Sequence, residues 1–78
     1  MTLKVISAET IVFEGEVTSV TLPGEKGLFT VLRNHASLIS TLTAGRIVYV
    51  TEAGKEESVP TEGGIADIDN NVVSVCIF

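Results

Sequence analysis

Apolar and polar positions alternate along most of this chain, and turn-forming residues interrupt the alternation roughly every 8–12 residues. The interruptions fall at Gly15, Pro23-Gly24-Glu25-Lys26-Gly27, Asn34-His35, Ala44-Gly45, Ala53-Gly54, Gly63-Gly64 and Asn70-Asn71. Between them the pattern predicts strands over 2–8, 11–22, 28–32, 37–43, 45–51, 56–62, 64–69 and 72–77, and no helix of three turns. A run of short strands without helices predicts an all-β fold, a small β-sandwich of about eight short, mostly antiparallel strands forming one domain over 1–78.

The alternation carries finer detail. Phe13 and Val17 share one face of the second strand, whereas Val20 and Leu22 fall on the other, so the apolar phase switches near Thr18-Ser19. A bulge or a crossing between sheets produces such a switch. Ile47 and Tyr49 alternate with Arg46, Val48 and Val50. The turn Glu52-Ala53-Gly54-Lys55 then leads into a polar strand with Glu56, Glu57 and Ser58, where Pro60 predicts either a sheet edge or a missing donor that faces outward. Asp69-Asn70-Asn71 joins the last two strands, and paired asparagines at a two-residue turn suit positive φ.

Composition supports strand over helix: Val, Ile and Thr number 27, against 11 for Ala plus Leu. The mean hydropathy of +0.44 argues against disorder. A 78-residue core nets only about 3–5 kcal/mol, so a permanent partner is expected to add stability. The net charge of −5 and five scattered basic residues, Lys4, Lys26, Arg33, Arg46 and Lys55, argue against nucleic-acid binding. The N-terminus lacks a basic stretch followed by an apolar run of signal length, and no 18-residue apolar stretch occurs, which points to the cytoplasm.

Chemistry is sparse. One Cys and one His cannot supply four zinc ligands or an internal disulfide. Cys76, in an apolar strand, reads as a core thiol, and His35 reads as a loop imidazole bonded to nearby backbone or as a partner contact. Asp67-Ile68-Asp69-Asn70-Asn71 begins like a calcium loop, but Val72 stands where Gly is needed and Phe78 where Glu is needed. The carboxylate pairs Asp67/Asp69 and Glu14/Glu16 read as solvated sheet faces. Gly24-Glu25-Lys26-Gly27 lacks the ending of a phosphate loop and reads as a turn. No catalytic, metal or cofactor-binding residue is assigned. Two turns bracket the apolar strand at 28–32, with Leu28 and Phe29 after glycine and Arg33-Asn34-His35 forming a polar tip suited to docking.

In these segments the chain resembles the N-terminal β-sandwich of the epsilon subunit of F-type ATP synthase. The matching features are Val5-x-Ser7-x-Glu9 with Val12-Phe13-x-Gly15, and Leu22-Pro23-Gly24 with Gly27 and Phe29-x-Val31-Leu32. They continue with Asn34-His35-Ala36, Leu38 and Leu42-x-x-Gly45, then Gly63-Gly64-Ile65-Ala66 and Asn71-Val72-Val73-Ser74-Val75. The resemblance implies a non-catalytic subunit of the rotating central stalk, lying against gamma and resting on the c ring, which couples ring rotation to ATP synthesis. It implies a peripheral place on the cytoplasmic face of a bacterial inner membrane, no cofactor, and a c-ring contact at Leu28, Arg33, Asn34 and His35. Arg33 and Ser37 replace prolines common in the family, Leu28 a frequently acidic or polar residue, and Glu62 a usual Ser. Family members continue into a C-terminal helical hairpin, so a chain stopping at Phe78 is expected to be a short form without an inhibitory arm. An unrelated β-sandwich adaptor or small-ligand module is the alternative.

Overall fold

The computed structural model describes residues 1–78 and contains eight strands: β1 (Thr2–Ile6), β2 (Ile11–Gly24), β3 (Gly27–Leu32), β4 (Leu38–Leu42), β5 (Gly45–Thr51), β6 (Glu56–Thr61), β7 (Gly64–Asp69) and β8 (Val72–Ile77). All pairings are antiparallel except that of β1 with β8. One layer of the sandwich runs β6-β5-β2-β3 and the other β2-β1-β8-β7-β4, because the 14-residue β2 belongs to both.

The switch of apolar phase in β2 is the point where it passes between layers. Its first half pairs with β1, its second with β3 and β5, and the register against β5 shifts between Val17 and Ser19. One extra residue turns Val20 and Leu22 into the same core that Val17 enters from the other layer. Pro60 lies on β6, at the edge of its layer. Asn70 and Asn71 close the β7–β8 hairpin with φ of 51° and 61°.

Two boundaries differ from the pattern by more than one residue. β1 ends at Ile6 because the chain turns, the Ser7 N–H donating to the Thr10 carbonyl at 2.9 Å. β2 continues through Pro23 and Gly24, which pair with Leu28 and Gly27, so the turn contracts to Glu25-Lys26. A Cβ at Gly24 would press on the Gly27 carbonyl and the Phe29 ring, so glycine is required there. Cys76 is exposed, not a core thiol. Val73 and Val75 take the inward positions of β8, and a period of two sends Cys76 outward with Ser74.

Inward side chains meet in registered rows. Phe13, Val5, Val75 and Ala66 are direct neighbours across four strands, and Leu3, Val73 and Ile68 form the next row. From the opposite layer Val20, Leu22, Val31, Ile47 and Tyr49 close the core, and the Phe13 and Tyr49 rings lie 4.3 Å apart between centroids, tilted by 33°. No buried side-chain polar atom lacks a hydrogen bond. Thr61, buried beside the turn, donates to the Gly63 carbonyl and accepts the Gly63 N–H.

Candidate docking site

The sandwich carries its polar chemistry at one end. There the tip that follows β3 meets the β7–β8 turn and the start of β1. Arg33 and Asn34 form the turn, with Asn34 at φ 65°, and the His35 N–H donates to the Leu32 carbonyl at 3.1 Å. His35 Nδ1 lies 2.7 Å from the Ala36 carbonyl, which can only accept, so Nδ1 carries a proton and donates it to that bond. The backbone-bonded loop imidazole expected from the sequence is therefore what the structure contains. Ser37 Oγ donates to Asp69 Oδ1, and the Asn34 and Asn71 side chains meet across the gap between the two turns.

Arg33 is the free cation of this end. The two ion pairs of the molecule are Met1 ammonium to Glu16 at 3.5 Å and Lys55 to Glu57 at 3.3 Å. The Thr2 hydroxyl donates to Glu16 and holds its carboxyl below the ordinary range. The nearby ammonium and, more weakly, Arg33 act in the same direction against some desolvation. Tyr49, beneath the sheet, has its phenol pushed up by burial and secondarily by the Glu57 charge.

Arg33, Asn34 and His35 thus stand together, while Leu28 does not join them. It lies at the start of β3 and they lie beyond its end, five residues on, roughly 17 Å at the rise of an extended strand. Leu28 is 75% exposed and lines an open groove of about 500 Å³ between β3 and β4, opposite the equally bare Ile39. The carboxylates of Asp67, Asp69, Glu14 and Glu16 are exposed, as the period-two reading required.

Sequence reasoning missed two features. Asn71 appeared only as a turn residue, since nothing local links it to Asn34. On the outer face of the five-strand layer, Ile65, Cys76, Ile6 and Ile11 are consecutive cross-strand partners, forming an apolar row in which Ile11 and Ile65 are about half exposed. Its only signal is that both phases of β8 are apolar and that Ile65 opens the outward phase of β7.

The fold is an all-β sandwich with polar turns at one end and a bare apolar row on one outer face. The family profile "ATP synthase, Delta/Epsilon chain, beta-sandwich domain" matches residues 1–77, and the chain belongs to that family. It is 37% identical over 75 residues to the ATP synthase epsilon chain of Leptospira borgpetersenii serovar Hardjo-bovis, covering 96% of this chain and 58% of that one. The chain therefore spans less than two thirds of that curated relative. The fold also superposes on a chain of the Euglena gracilis mitochondrial ATP synthase cryo-EM structure (OSCP/F1/c-ring, rotational state 1). There the TM-score is 0.89 at 23% identity, over 96% of this chain and 48% of that one. For a chain of the Tetrahymena thermophila mitochondrial ATP synthase central stalk and c ring, the TM-score is 0.80 at 10% identity, covering 100% and 63%.

Proposed function

We propose that this domain is the sandwich portion of a central-stalk rotor subunit of an F-type ATP synthase, with no catalytic role of its own. It lies against gamma and meets the c ring, and transmits ring rotation toward ATP synthesis at the cytoplasmic face of a bacterial inner membrane. The observation that carries this reading is the family match through all eight strands, residues 1–77. The solved chains of similar fold come from an assembly with F1 and a c ring in Euglena gracilis and from a central stalk with c ring in Tetrahymena thermophila.

The surface suits such a role. An apolar row and a bare Leu28/Ile39 groove offer area to bury, and Arg33 offers an unpaired guanidinium to acidic or carbonyl-rich loops. Because Leu28 and Arg33 lie at opposite ends of β3, they serve two separate contacts: Leu28 with the groove, Arg33 with the tip. Arg33→Glu tests the tip in reconstituted vesicles. Proton pumping per ATP hydrolysed should fall while the folded circular dichroism spectrum is retained, and the loss should shrink as ionic strength rises. Normal pumping would remove the tip from the interface.

A further inference from the structure

Residues 33–36 leave β3 with no strand beside them, yet a residue 37 positions away ties them down. The Asn34 backbone N–H donates to Asn71 Oδ1 at 2.6 Å, and Asn71 Nδ2 donates back to Asn34 Oδ1 at 3.0 Å. One carboxamide thus acts as a short stretch of strand edge, supplying an acceptor and a donor in the order the tip requires. Reversing the Asn71 amide would set its NH₂ against the Asn34 N–H, donor against donor, so the network permits one orientation. Asn71 is itself fixed from the scaffold side, because its carbonyl accepts the Thr2 N–H at 2.9 Å. The Ser37 to Asp69 bond at 2.5 Å fastens the far side of the tip to the same turn.

We propose that Asn71 is the positioning residue of the tip. Its side chain holds Arg33 and His35 in their docking arrangement, so that tip and β7–β8 turn meet a partner as one rigid body. This rests on the reading of the tip as a rotor contact. The physical gain is preorganisation: a tip already ordered in the free subunit loses little conformational freedom when it docks. Both asparagines have left-handed backbones, at φ 65° and 61°, a conformation glycine adopts freely, so the clamp can be cut without disturbing either turn.

The decisive experiment compares Asn71→Gly, Asn34→Asp and Arg33→Glu in two measurements. One is amide hydrogen exchange of Asn34 in the free 78-residue chain, and the other is affinity for gamma carrying its c ring. Asn71→Gly should melt within about 3 °C of the parent, exchange the Asn34 amide at least about tenfold faster, and dock about three- to tenfold more weakly. Asn34→Asp keeps its N–H and an acceptor for Asn71 Nδ2, so the amide at position 34 should exchange at the parental rate. Unchanged Asn34 exchange in Asn71→Gly would overturn the clamp. Parental docking by Asn71→Gly beside weakened docking by Arg33→Glu would overturn positioning while leaving the tip as a contact. Parental docking by both would remove the tip reading, and the proposal with it.

Discussion

Truncating Leu3 to Ala tests the energetics of the whole sandwich. Leu3 is fully buried in β1, between Gly15 of β2 and Val73 of β8. Three carbons are lost, at about 0.8 kcal/mol each, or roughly 2.4 kcal/mol of transfer free energy. The void adds to this, because Gly15 has no side chain to move in and the Phe13 ring already covers it. A total of about 3–4 kcal/mol follows, within the usual range for buried Leu→Ala. A chain this small holds about 3–5 kcal/mol in all, so the isolated variant sits near its unfolding midpoint at 25 °C. At roughly 4–8 °C per kcal/mol, its melting temperature by circular dichroism should fall by at least about 12 °C. Thr30→Ala is the control: Thr30 is exposed on β3, bonds only the Thr21 hydroxyl at 2.9 Å, and should shift melting by no more than about 4 °C. A Leu3→Ala domain melting within about 5 °C of the parent would refute this account of the core.

Three further outcomes are expected. Gly64→Ala should lower stability by about 2–4 kcal/mol in urea titration, since a Cβ there would collide with the Cys76 carbonyl and the backbone ladder of β7 and β8 must give way; parental stability would contradict this. The lowered Glu16 pKa contributes stability above the ordinary carboxylate value that is lost as pH falls through the folded value. The raised Tyr49 pKa makes stability fall as pH rises above about 10, so Glu16→Gln should flatten the acid limb and Tyr49→Phe the alkaline limb of melting against pH. Cys76, exposed in the outer apolar row, should be alkylated readily in the isolated chain and at least about tenfold more slowly once gamma is bound; equal rates would place that row outside the interface.

Where a single local cause decided the structure, the sequence was enough. The asparagine pair at 70 and 71 announced a hairpin because few residues accept positive φ, and the phase switch near Thr18-Ser19 announced the passage of β2 between layers because side chains alternate with period two. Cys76 was misplaced because Val72, Val73, Val75, Cys76 and Ile77 make both faces of β8 apolar, leaving Ser74 as the only marker of the outward phase. Leu28 and Arg33 looked adjacent because five residues are a short interval, yet an extended strand turns that interval into most of the sandwich's length. The Asn34–Asn71 clamp was invisible for a different reason: it depends on two turns from distant segments arriving at the same end of the fold.

The most direct test of the rotor assignment is whether the 78-residue chain, carrying an affinity tag, forms a stoichiometric complex with gamma and stays with an ATP-hydrolysing complex through purification from native membranes. The account predicts retention in that complex, with the chain's melting temperature rising when gamma is present at saturating concentration. A chain that elutes as a free monomer, with no membrane partner and unchanged melting in the presence of gamma, would contradict it.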